Sequence, residues 1–97
     1  MPTYILLTRF TQQGLENIKD SPGRLEAVKK TLQGLGARLK DFYLVTGQYD
    51  AIVVIEAPNE ETVAKASLAI GSRGAVRTET LRAFTEEEYR KLVGALP

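Results

Sequence analysis

Four stretches of the chain carry the apolar patterns that are typical of β-strands. In residues 3–10, even-numbered and odd-numbered side chains would face opposite sides of a strand, and both sets are largely apolar. Residues 38–45 mix polar and apolar side chains at the short period of a half-buried strand. Residues 51–55 form an unbroken apolar run rich in β-branched residues, as in a strand that is covered on both faces. Residues 75–84 also fit a strand whose even-numbered and odd-numbered side chains face opposite sides. The pattern therefore predicts four strands.

The segment between the first two strands predicts one helix, over residues 22–35. Its apolar positions recur at helical spacing and are Leu25, Val28, Leu32 and Leu35. Ser21 stands where an N-cap is expected, Pro22 at the first helical position and Gly36 just past the end. Residues 11–20 show no clear period, which predicts a loop or a single short turn.

Two further helices are predicted in the second half of the chain. Asn59 is placed to cap a helix that ends between Gly71 and Gly74. The inner face of this helix consists of Val63, Ala66, Ser67 and Ile70. Thr85 and Glu88 then have the spacing of a capping box, which predicts a short tail helix. The tail helix carries an apolar stripe of Tyr89, Leu92 and Val93.

The order of these elements predicts the fold class and a mode of assembly. Strand, helix, strand, strand, helix, strand is the ferredoxin-like βαββαβ plan of an α+β domain, here a single domain over residues 1–97 with an extra C-terminal helix. Both main helices cover one face of such a sheet, yet the first and third strands are apolar on both sides. We therefore expect two sheets to pack face to face in a homodimer or a larger ring. The alternative is that the tail helix covers the open face.

Composition narrows the function classes. Thirteen Lys and Arg against twelve Asp and Glu leave a net charge of +1 without a concentrated basic face, so we expect no nucleic-acid partner. The chain has no cysteine and no histidine, which argues against an ordinary hydrolase, a thiolate site or a transition-metal site. We expect no cofactor and no metal. No stretch predicts a membrane span or a signal peptide, so the expected location is the cytoplasm.

Several separated stretches carry a family resemblance. They are Gly47-Gln48-Tyr49-Asp50 within the run TGQYDAIVVIEAP, Arg9-Phe10-Thr11, Gly14, Ser21-Pro22 and the run VRTETL from Val76 to Leu81. Together they resemble the GYD domain family of small proteins with unassigned function, although Gln48 separates the glycine from Tyr49 and Asp50. The resemblance implies a ferredoxin-like fold of the dimeric α/β barrel type. A more distant similarity, to the effector-binding domain of Lrp/AsnC regulators, implies small-molecule sites at subunit interfaces.

Five residues are the candidate ligand-binding positions. Gly47, Tyr49 and Asp50 form the bend between the second and third strands, where they either serve the turn alone or also line a cleft. Arg24 lies near the start of the first helix and is either a solvated charge or an anion-binding group. Thr78 belongs to the VRTETL run. Tyr4 and Tyr43 are further candidates for a cleft between the sheet and the helices, or packing residues.

Three functions follow from these observations. The first is an oligomeric small-molecule-binding or regulatory module without catalysis, whose ligand the sequence does not name. The second is a small dimeric α/β barrel enzyme, of monooxygenase or isomerase type, that uses Tyr49 and Asp50. The third is a structural assembly or adaptor protein. The partners expected for the first function are further copies of the chain and a small metabolite.

Overall fold

The computed structural model describes all 97 residues and contains one antiparallel sheet with four α-helices. The elements are β1 (Thr3–Phe10), α1 (Gln12–Glu16), a 3-10 helix (Ile18–Asp20), α2 (Ser21–Gly34), β2 (Arg38–Leu44), β3 (Ala51–Glu56), α3 (Glu60–Gly71), β4 (Val76–Ala83) and α4 (Glu86–Gly94). The strand order is β2-β3-β1-β4. This order confirms the expected ferredoxin-like α+β fold. None of the helices combines the length and the apolar character that crossing a bilayer requires.

The core lies between the sheet and the pair α2 and α3. Leu6 on β1, Ile55 on β3 and Leu32 on α2 are its largest fully enclosed side chains, each at most 2% exposed. Val63 and Ala66 present the inner face of α3 to the same cluster, as their spacing predicts. Truncating a buried leucine or isoleucine to alanine lowers the free energy of unfolding by about 2–5 kcal/mol. Packing within this cluster is therefore large enough to hold both helices against one face of the sheet.

The connection between β1 and α2 is more ordered than residues 11–20 indicate. The Thr11 hydroxyl accepts the Gly14 N–H at 3.1 Å and caps α1, and the 3-10 helix follows directly. The expected loop is therefore wrong, and the alternative of a single short turn accounts for α1 but misses the 3-10 helix. The predicted N-cap at Ser21 is also wrong, because the 3-10 helix runs into α2 and gives Ser21 a helical backbone (φ −55°, ψ −43°). An N-cap residue has an extended backbone instead.

The other predicted helix starts are confirmed. The Asn59 side chain accepts the Thr62 N–H at 2.9 Å at the start of α3. At the start of α4, Thr85 and Glu88 exchange both bonds of a capping box. Strand ends differ from the prediction by one residue: β2 and β4 are shorter and β3 is longer.

One face of the sheet carries no helix, and we call it the open face. Its central apolar residues, as the strand register places them, are Ile5, Leu7, Ile52, Val54 and Leu81. The helix α4 buries none of its residues, and Tyr89 and Leu92 on its apolar stripe are 60% and 51% exposed. The interpretation that the tail helix covers the open face within one chain is therefore wrong. The open face and the stripe on α4 are two apolar surfaces that a single copy leaves unpaired.

Candidate functional site

A partly enclosed cavity of about 220 Å³ lies between α2 and the covered face of the sheet. Eleven of its sixteen lining residues are hydrophobic, and they come from all four strands as well as from α2 and α3. The polar lining residues are Thr8, Ser21, Arg24, Arg73 and Thr78. A pocket that is mostly apolar with a few polar groups is the usual form of a small-molecule site.

The cavity exists because small side chains occupy facing positions around it. Ala51 begins β3 and Ala75 precedes β4, and both are buried while presenting only a methyl group to the space. Ala27 lies at the α2 side of the same space. Protein interiors are normally filled to crystal-like density, so three alanines that line one space leave room that larger side chains would fill.

Two arginine side chains line the cavity without a carboxylate partner. Arg24 donates from Nη1 to the Asn17 carbonyl at 2.8 Å and from Nη2 to the Gly14 carbonyl at 3.2 Å, which ties α2 to the connection before it. Arg73 donates from Nη2 to the Thr31 hydroxyl at 2.7 Å. All ion pairs of the chain involve other residues, namely Lys29–Glu26, Arg38–Glu56, Arg90–Glu86 and Lys91–Glu87. No carboxylate therefore lies within 4.0 Å of either guanidinium group, and the lining carries two positive charges without a direct ion pair.

Two threonines add hydroxyl groups to the sheet side of the cavity. Thr8 on β1 and Thr78 on β4 are direct partners in the strand register. Thr8 is 6% exposed and its hydroxyl donates to the Leu6 carbonyl at 3.3 Å. Thr78 is half-buried beside it, so its hydroxyl is a polar group on an otherwise apolar wall.

The other three predicted site residues lie together in the bend before β3, outside the cavity lining. Asp50 accepts the Phe10 N–H on Oδ2 at 2.9 Å, which holds the end of β1. The Tyr49 hydroxyl donates to the Glu79 carboxylate at 3.2 Å, and the Arg9 guanidinium lies 4.7 Å from the centroid of the Tyr49 ring. Gly47 has a φ of +121°, a conformation that favours glycine. These contacts agree with a role in the turn, and ligand binding by the three residues stays a prediction.

The structure thus brings Arg24 and Thr78 together and keeps them apart from the bend. Tyr4 and Tyr43 do not line the cavity: Tyr4 is 3% exposed within the core and Tyr43 is 57% exposed on the open face. Arg73 was missed, since the run Gly71-Ser72-Arg73-Gly74 indicates only a turn. Its contact with the cavity depends on how α3 packs beside α2, which the local pattern does not reveal.

Two carboxyl groups have a clearly lowered pKa, and both lie outside the cavity. The hydrogen bond from Arg38 lowers the pKa of Glu56, and the backbone N–H of Thr85 lowers the pKa of Glu88. The first pair joins neighbouring strands and the second forms the cap of α4. Both shifts are therefore explained by local structure.

A family model covers almost the whole chain. The model of the GYD domain matches residues 4–93, which include the bend, both main helices and, apart from Thr3, all four strands. The chain belongs to the GYD domain family. This GYD domain is 42% identical over 85 residues to the "Glutamine synthetase and cystathionine beta-lyase binding protein" of Thermus thermophilus, a match that covers 87% of this chain and 90% of that protein.

Solved structures of similar fold support the same architecture. The feast or famine regulatory protein of M. tuberculosis, complexed with L-methionine, superimposes with a TM-score of 0.66 at 14% identity over 88% of this chain. The GYD domain spans about half of that regulator, 51% of its chain. The protein TTHA0845 of Thermus thermophilus gives a TM-score of 0.56 at 28% identity, covering 88% of this chain and 95% of that one. The first similarity, at its low identity, shows a shared fold.

Proposed function

We propose that this GYD domain is a homo-oligomeric regulatory module without catalysis, which binds a small molecule in the cavity and acts by binding other proteins. The cavity between α2 and the sheet is the observation that carries the proposal. It combines an apolar lining with two guanidinium groups that have no carboxylate partner and with the hydroxyls of two threonines that are partners in the strand register. Such a combination provides apolar contact area together with a few orienting polar groups.

Self-association is the second part of the proposal. The open face exposes the apolar centre of the sheet, where Ile5, Val54 and Leu81 are neighbours in the strand register. The apolar stripe of α4 is exposed as well. Packing two open faces together would bury the apolar centre of both sheets.

Protein partners are the third part. The relative from Thermus thermophilus is named for binding glutamine synthetase and cystathionine beta-lyase. We propose by extension that this chain also binds a metabolic enzyme, and that the molecule in the cavity controls this binding. Binding energy that differs between the free and the liganded form is what such control requires.

The enzyme hypothesis is less well supported. It depends on Tyr49 and Asp50, which lie outside the cavity lining. The Asp50 carboxylate accepts the Phe10 N–H on Oδ2, and this bond explains the residue by its structural role at the end of β1. The adaptor hypothesis remains the second candidate, because the name of the relative specifies protein partners without a small ligand.

A titration with three related probes tests ligand binding. Phenylacetamide, phenylacetate and 2-phenylethylamine share an aromatic body and differ in charge. We expect at least one of them to shift the methyl NMR signals of Val28 and Val53, which line the cavity, and to leave that of Val93 on α4 unchanged. Methyl signals that respond to none of the three would refute the ligand-binding module and leave the adaptor.

Matched variants show whether the binding uses the cavity. Ala27→Phe fills the space from the exposed surface of α2 and should abolish the shifts. Ala64→Phe adds the same ring to an exposed position of α3 outside the cavity and should leave them intact. Equal shifts in both variants would place the binding elsewhere and overturn the assignment.

A further inference from the structure

We infer that the ligand of the cavity is a small monocarboxylate with a compact apolar body, held through its carboxylate by Arg73 and Arg24. This inference rests on the proposed ligand-binding function and adds the chemical class of the ligand. It follows from the lining composition, the volume of the cavity and the two arginines that form no direct ion pair.

The lining defines an apolar ligand body. Leu6, Val53 and Ile70 belong to the hydrophobic lining residues, and each is at most 7% exposed, so the inner wall presents hydrocarbon. Burying apolar area against such a wall contributes roughly 25 cal/mol for each Å² that is removed from water. A ligand with several polar groups along its body would lose this contribution and leave the polar groups unsatisfied.

The volume limits the size of the ligand. An apolar cavity of about 150 Å³ accepts benzene, which corresponds to roughly 25 Å³ for each carbon atom. At that ratio the cavity of about 220 Å³ holds about nine non-hydrogen atoms. One aromatic ring or a branched aliphatic group with a short carboxylate arm, about nine or ten non-hydrogen atoms, is close to this limit, and a nucleotide or a long acyl chain is far above it.

The charge of the lining defines the polar group. Arg24 and Arg73 are the charged lining residues, and neither has a carboxylate within 4.0 Å. Each guanidinium has five N–H donors. Arg24 uses Nη1 and Nη2 once each on carbonyl groups and Arg73 uses Nη2 once on a hydroxyl, so donors remain on both. An arginine fork matches the two oxygens of a carboxylate, and a cationic ligand would meet repulsion from both side chains.

The two arginines differ in how tightly the chain holds them. Arg24 has two main-chain partners, Gly14 and Asn17, which fix its head group beside the start of α2. Arg73 follows α3, is exposed and has one hydroxyl partner, Thr31. Arg73 is therefore free to turn its fork onto a carboxylate with little cost to the fold, and Arg24 supplies a fixed positive charge.

Affinities for the three probes test the inference. Calorimetric titration should show phenylacetate binding at least about tenfold more tightly than phenylacetamide, because a hydrogen bond to a charged carboxylate is stronger than one to a neutral amide by about this factor. 2-Phenylethylamine should bind more weakly than the amide. Arg73→Gln should lower the affinity for phenylacetate about tenfold and leave that for the amide unchanged. Arg90→Gln, which removes an exposed arginine on α4, is the control and should change neither.

Three results of these titrations would contradict the inference. Equal or tighter binding of the amide overturns the inference and leaves the proposed ligand-binding function intact. Binding of none of the probes overturns both. If phenylacetate binds most tightly but Arg73→Gln and Arg24→Gln both retain its full affinity in folded protein, the assignment of the carboxylate to these arginines is overturned.

Discussion

Replacing Asp50 by alanine should destabilise the fold, because its carboxylate completes the hydrogen bonding of β1. The paired register of β1 and β3 ends at Thr8 and Ala51. Beyond this point the Asp50 N–H donates to the Thr8 carbonyl at 2.9 Å, and Oδ2 of the same residue accepts the Phe10 N–H at 2.9 Å. The side chain thus takes the position that a continuing strand would occupy. Asp50→Ala leaves the Phe10 N–H without a partner.

The expected loss follows from the type of this bond. A hydrogen bond to a charged group contributes about 1.5–3 kcal/mol. Phe10 and Asp50 are half-buried, so water replaces part of the interaction, and we expect a loss of about 1–2 kcal/mol in the free energy of unfolding. Asp50→Asn keeps an acceptor oxygen and loses its charge, so its loss should be about half as large. Tyr49→Phe removes an exposed hydroxyl bond to Glu79 and should change stability by less than about 0.5 kcal/mol.

Urea unfolding of the three variants and the parent, at one protein concentration, measures these differences. The shared concentration matters because self-association would make stability depend on it. An Asp50→Ala variant as stable as the parent would refute the structural role of the carboxylate. Reduced probe binding in such a stable variant would assign Asp50 a role in ligand binding, directly or through Phe10, that is separate from stability.

Three further predictions concern the packing, the open face and the tail helix. Gly14→Ala should lower the free energy of unfolding by roughly 2 kcal/mol or more, since its Cβ would lie 2.1 Å from a backbone oxygen. In the control Gly34→Ala the Cβ meets no atom within 4 Å, so this variant should stabilise α2 by about 0.5–1 kcal/mol. Urea unfolding compares the two variants. Leu81→Glu on the open face should give the mass of a monomer in light scattering, and Leu68→Glu on the exposed side of α3 should keep the mass of the parent oligomer. A parent protein with the mass of a monomer would refute self-association. Because the pKa of Glu88 is lowered in the fold, the capping box at the start of α4 depends on pH. Its stabilisation is fully present at a pH above the ordinary glutamate pKa and is lost as the pH falls through the lowered pKa. Amide NMR signals of α4 that stay unchanged across this pH range would contradict the prediction.

The sequence predicts the elements whose signal is long and regular. The period of the residues over 22–35 places α2, and the caps at Asn59 and Thr85 place the starts of α3 and α4. The helix α1 is different, since five residues span less than two turns and offer no period to detect. Its signals are a cap at Thr11 and a close approach at Gly14, where a Cβ would collide with Ala75. The second signal depends on a residue far along the chain.

The candidate site was less predictable than the fold for the same reason. Its lining comes from six strands and helices and from a loop, so no local spacing brings those residues together. Arg24 and Thr78 were identified as single candidates, without a pattern that joins them. Arg73 and the small side chains that leave the space, such as Ala27 and Ala51, become meaningful only when the helices lie on the sheet.

The bend before β3 connects the two surfaces on which the proposed function depends. Asp50 fixes the Phe10 N–H, and the Phe10 side chain lines the cavity. The adjacent Arg9 lies on the other face of the strand, where it stacks on Tyr49 and donates from Nε to the Gln48 carbonyl at 3.0 Å. Because successive side chains of a strand point to opposite faces, a change at the bend reaches the cavity and the open face through the main chain of β1. A fixed geometry of this bend would therefore support both surfaces without any contact between its side chains and a ligand.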